Sequence, residues 1–141
     1  SISLFDCEIV HENERKRRRR RHQKSEAGED PLATARKMLR RKTDSCEELE
    51  WFEFRNDKEA HDRELTERVQ KSFVRTFKTL RKELSAKFAE PVRTGNTEHK
   101  LIPRNGILEY AIWNIRGKSL FTAVSYEDVG LPVVLYLGVT Q

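Results

Sequence analysis

Residues 65–88, LTERVQKSFVRTFKTLRKELSAKF, place Leu65, Val69, Phe73, Phe77, Leu80, Leu84 and Phe88 at steps of 4, 4, 4, 3, 4 and 4. That rhythm follows the period of an α-helix and puts every large apolar side chain on one stripe. Asp62, Glu64 and Glu67 stand near its start, and Arg81, Lys82 and Lys87 near its end. This polarity complements the helix dipole. Pro91 closes the segment, with a break into two antiparallel helices near Ser85 as the alternative. Such a stripe either zips to a partner helix or covers a sheet of the same chain, and the flanking sequence favours the sheet.

Downstream, Ile107 to Ile115 alternates in part and is rich in Ile, Tyr and Trp. Arg116-Gly117-Lys118 reads as a tight turn, Leu120 to Tyr126 as a second strand, and Glu127 to Gly130 as a second turn. Val133 to Val139 is apolar on both faces, the signature of a central or covered strand. Just upstream of the helix, Leu49, Trp51, Phe52 and Phe54 suggest another strand. Sequential hairpins imply an antiparallel meander, so the expected class is α+β: a long amphipathic helix packed on a β-meander over residues 44–141.

Residues 1–43 read as a basic N-terminal arm. Ile2, Leu4, Phe5, Ile9 and Val10 suit a short strand, with Cys7 as a small apolar companion. Residues Ser25 to Pro31 suit a linker, and Pro31 to Lys42 a short helix with Leu32, Ala35 and Leu39 on one side. Between strand and linker lies Arg15-Lys16-Arg17-Arg18-Arg19-Arg20-Arg21, a run of seven cations. The whole 141-residue chain has 28 Lys+Arg against 23 Asp+Glu, a net +5. Glu14 to Lys42 alone carries 13 bases and 4 acids, or +9, so the remainder sums to −4. Asp44 to Glu67 is acidic, with 10 acids against 3 bases, and Arg68 to Glu90 is basic again, with 7 bases against 2 acids.

These patterns exclude several classes. There is no apolar run of the eighteen or so residues that a membrane helix needs. Ser1 to Val10 is mixed and precedes the basic block, the reverse of a secretory signal's order. Cys7 and Cys46 form no disulfide framework or metal knuckle, which points to a reducing compartment, cytoplasmic or, with the arginine run as an address, nuclear. His11, His22, His61 and His99 show no metal-ligand spacing with either cysteine. Neither a glycine-rich phosphate loop nor a nucleophile elbow is present, so no cofactor is implied.

The arginine run points to a polyanion. Each Lys or Arg that neutralises a phosphate releases condensed counterions, and Arg forks onto phosphate oxygens as Lys cannot. Arg15, Lys16, Arg17, Arg18, Arg19, Arg20 and Arg21, with Arg36, Lys37, Arg40, Arg41 and Lys42 on the short helix, are therefore the candidate nucleic-acid contacts, RNA foremost. Arg75, Lys78, Arg81 and Lys82 on the long helix extend that surface, although a solvated helix face has the same composition. A localisation tag is the plainer alternative for the run. Glu47, Glu48, Glu50 and Glu53 read as a solvated strand edge or as an internal partner that masks the arginines. For chemistry, His99, Lys100, Arg104, Arg116 and Lys118 form one constellation: RNA cleavage by a 2′-hydroxyl needs a proton acceptor, a proton donor and cations at the pentacovalent phosphate.

The order of elements, with Lys100-Leu101, Asn105-Gly106-Ile107-Leu108-Glu109-Tyr110 and Val133-Val134-Leu135-Tyr136-Leu137-Gly138-Val139-Thr140, resembles the RelE/HigB superfamily of bacterial toxins over Cys46 to Gln141. The resemblance implies a small basic ribonuclease that cleaves messenger RNA on the ribosome and is held inactive by an antitoxin, with His99, Lys100, Arg104, Arg116 and Lys118 at the matching positions. Two departures stand out: an added arginine-rich N-terminal segment, and a sequence that stops after the last strand, where that family often places a catalytic Tyr or His. The competing classes are a non-enzymatic viral or phage accessory protein that binds RNA, a ribosome or a host regulatory protein, and a protein-interaction module using Trp51 or Trp113.

Overall fold

The computed structural model describes residues 21–141. The strand expected within residues 2–10 and the cations Arg15 to Arg20 lie outside the described residues. Strands β1 (His22–Lys24), β2 (Ser45–Phe52), β3 (Arg93–Gly95), β4 (Ile107–Ile115), β5 (Lys118–Tyr126) and β6 (Val133–Thr140) form one sheet in the order β1-β2-β6-β5-β4-β3. Every neighbouring pair is antiparallel. Helices α1 (Glu26–Glu29), α2 (Pro31–Arg40), α3 (Asp57–Ala60) and α4 (Arg63–Phe88) complete the α+β fold.

The long stripe makes one unbroken helix. Asp62 caps it by accepting from the Leu65 N–H, and the break considered near Ser85 is absent. Leu65, Val69, Phe73, Phe77, Leu80 and Leu84 are all buried against the sheet. At the far end the Trp113 indole N–H donates to the Ala89 carbonyl at 2.8 Å, tying the helix terminus to β4. Trp113 is 1% exposed, so it is a core residue and not the partner-facing aromatic considered from sequence.

Strand β6 is central, as its two apolar faces require. Val133, Leu135, Leu137 and Val139 meet the helices, while Val134 and Tyr136 are buried on the opposite face. Gly138 is needed there: a Cβ would lie 2.3 Å from the Phe121 ring and 2.7 Å from the Ser45 carbonyl oxygen. The β4–β5 hairpin turns on Arg116 and Gly117, at φ 54° and 81°, the mirror-image turn that suits two-residue hairpins.

Residues His22–Arg40, placed with the arm on sequence grounds, pack into this same core. Ala35 and Met38 of α2 are fully buried beside α4 and β6 residues. The expected linker contains α1, capped by the Ser25 hydroxyl, which accepts from the Gly28 N–H. Helix α2 ends at Arg40, two residues short of expectation, where Arg41 turns extended.

Candidate nucleic-acid interface

With the α4 stripe turned to the sheet, geometry determines which residues face water. At 100° per residue, positions 68, 71, 75, 78 and 82 fall on the line opposite the buried stripe. Arg68, Lys71, Arg75, Lys78 and Lys82 occupy them, and all five are exposed. They form a row about 20 Å long with a cation roughly every 5 Å. Arg81 departs from this row; it sits beside the core with its guanidinium 5.9 Å from the Phe77 ring centre. Sequence reading found Lys78, Arg75 and Lys82 but left out Arg68 and Lys71. Projecting the apolar stripe onto its opposite side would have found them.

Helix α2 adds a second patch on the same side of the sheet. Arg36, Lys37, Arg40 and Lys42 are exposed, opposite the buried Ala35 and Met38. Arg41 lies 3.5 Å from Glu47. The helix layer thus presents cations from both α2 and α4.

The last arginine of the run shows how the arm meets the body. The Arg21 guanidinium pairs with Glu59 and lies 5.2 Å from the Phe52 ring centre. His22 reaches Glu50 at 2.6 Å. Two acids of the Asp44–Glu67 segment therefore engage the two residues at the root of the arm. Burial raises the Glu59 carboxyl, but the Arg55 N–H and the Arg21 guanidinium outweigh it and hold the group below its ordinary 4.5. A depressed carboxylate contributes stability above its unfolded pKa and loses it as pH falls through the folded one. Glu59→Gln accordingly lowers stability by about 1 kcal/mol at neutral pH and by nothing in acid below that titration. Urea unfolding at the two pH values checks this; an equal deficit at both would show that the charge is irrelevant.

Of the proposed catalytic set, His99, Lys100 and Arg104 line one pocket of about 300 Å³, and Arg116 and Lys118 stand apart from it. His99, Lys100 and Arg104 belong to a loop crossing the face away from the helices. The His99 ring packs on Tyr110, with centroids 5.3 Å apart, and its Nδ1 accepts from the Leu101 N–H at 3.1 Å. Burial, then Arg93 and Lys100, push its pKa below the ordinary 6.5; with Nδ1 accepting, the neutral ring carries its proton on Nε2. The nitrogen that would accept a proton is already occupied. The Arg104 guanidinium lies 4.8 Å from the Tyr136 ring centre and donates to the Pro103 carbonyl at 2.6 Å.

Lys118 stands on the opposite, helix-covered face. Its ammonium donates to the Leu39 and Arg41 carbonyls, both at 2.7 Å, and so closes the end of α2. Arg116 projects from the hairpin tip, exposed. Lys100 is exposed on its loop. Cys46 is a free, half-buried thiol whose pKa burial pushes up against the lowering pull of Arg104.

Among the described residues no cluster of three or more His, Cys, Asp or Glu is arranged to hold a metal ion. No helix among them is long and apolar enough to cross a membrane. Compared with known proteins, the chain matches no protein-family profile, no curated protein and no solved structure. The toxin resemblance thus rests on the residues quoted for it alone.

Proposed function

We propose that this protein binds nucleic acid, RNA foremost, without cleaving it. The observation that carries the reading is the row Arg68, Lys71, Arg75, Lys78 and Lys82, fully outside the core and uninterrupted by acids along its line. A helix needs no such uniformity to be soluble, since alternating signs serve solubility and add internal pairs. A row of one sign costs self-repulsion, and a polyanion relieves it. The α2 cluster widens the same surface, and the arginine run adds a segment of the composition through which many proteins grip RNA. A ribosome, whose surface is largely RNA, is a target of the same chemistry.

Non-enzymatic binding is preferred because His99 has its acceptor nitrogen engaged and Lys118 lies across the sheet from it. The test is incubation of the intact chain with labelled RNA, with and without ribosomes, scoring retention and cleavage in the same samples. Salt-sensitive retention with intact RNA is the expected result. His99→Ala and Arg116→Ala leave affinity within about threefold, as single peripheral cations do. Discrete cleavage abolished by either substitution would replace this reading with a RelE/HigB-like ribonuclease.

A further inference from the structure

Beside the cationic row, α4 and the edge of the sheet flank an open groove of about 650 Å³. It exists because β3 is short and covers β4 only at Tyr110–Ile112. A bulge between Ile107 and Glu109 then sets Leu108 against the helix-side core, next to the flank of α4. Val74 and Leu108 form an apolar floor, and Lys71, Arg75 and Lys78 of the row line the groove as well. Glu67, Glu109 and the Gln70 amide add polar groups to its walls. The volume lies within the range that takes small ligands.

We propose that this groove seats one unstacked base of single-stranded nucleic acid and prefers bases bearing an exocyclic amino group. The proposal rests on the polyanion reading above and makes it more specific. Three features together select the occupant. The shared cations hold the phosphates flanking the groove, so a nucleotide is brought to it by the same contacts that bind the strand. Val74 and Leu108 offer the face of an unstacked base an aliphatic surface, in place of an aromatic platform. The carboxylates accept hydrogen bonds and cannot donate them. Cytosine offers its N4 amino group to such an acceptor, whereas uracil presents a carbonyl oxygen at the same place and is repelled. A duplex keeps these edges paired, so it can use the row and not the groove.

The test is equilibrium binding of the intact chain to oligo(C), oligo(U) and a duplex of equal length at one salt concentration. Oligo(C) is expected to bind about tenfold tighter than oligo(U), the discrimination usual for one good base contact. It should also bind tighter than the duplex. In the double variant Glu67→Gln and Glu109→Gln, the C-over-U preference falls to about twofold or less. Affinity for oligo(U) stays level or rises there, because two negative charges are gone. Equal affinity of the unaltered chain for all three ligands, with a steep salt dependence throughout, overturns the base site and leaves polyanion binding standing. A preference that survives the double substitution also overturns it. Absence of salt-sensitive binding to any of the three removes both proposals together.

Discussion

Changing Lys71→Glu, Arg75→Glu and Lys78→Glu together lowers RNA affinity by at least about a hundredfold at 0.1 M salt and leaves the fold intact. Each substitution moves the charge by two, so the net +5 of the chain becomes −1. The row loses its uniform sign at its centre, where a bound backbone would make its closest contacts. All three side chains are exposed and none belongs to the core, so unfolding free energy should change by no more than about 0.5 kcal/mol. Gel or anisotropy titration, with a denaturation curve on the same preparation, separates the two quantities. An unchanged affinity would place the contact elsewhere and end the proposed role of α4.

Phe77→Ala has the largest expected effect on stability, a loss of about 3–5 kcal/mol. Phe77 has no exposure at all and sits midway along α4 in the cluster that joins both long elements of the helix layer to the sheet. Removing its ring leaves a cavity under a helix that is held by packing on one stripe. Domains of this size are stable by only about 5–15 kcal/mol, so much of the margin disappears. The midpoint of urea unfolding should fall sharply with an unchanged slope. Lys78→Ala, the next residue and exposed on the outward face, serves as the control and should cost under about 0.5 kcal/mol. A small loss for Phe77→Ala would mean that α4 does not organise the core.

The long helix and the three closing strands could be read from sequence because their burial pattern is periodic within a few residues. Leu65 to Phe88 shows one stripe, and Val133 to Val139 shows a strand apolar on both faces, and the structure has both. The edge strands were silent for the opposite reason. His22–Lys24 is polar, and pairing with Glu50, Trp51 and Phe52 of β2 makes it a strand. Arg93–Gly95 is likewise held by β4. Pairing partners distant in sequence leave no local signal.

The candidate site divides along the same line. A helix face follows from its own spacing, so the cations of α4 were partly visible. A constellation drawn from loops and a hairpin does not: Lys118 lies on the face of Leu120, its neighbour by two, while the His99 loop lies on the face of Phe121. Alternation at period two separates residues that sequence proximity suggests are partners. The groove between α4 and β4 was invisible because it depends on where β3 stops.

If the outward face of α4 grips the polyanion by charge, the slope of log affinity against log salt carries that contact. For the intact chain on single-stranded RNA a steep linear fall is expected. In a variant with Arg68, Lys71, Arg75, Lys78 and Lys82 all changed to Ala, the slope should be shallower by about 3 to 4, from roughly 0.7 per lost phosphate contact. The same slope in both proteins would show that α4 does not make the contact.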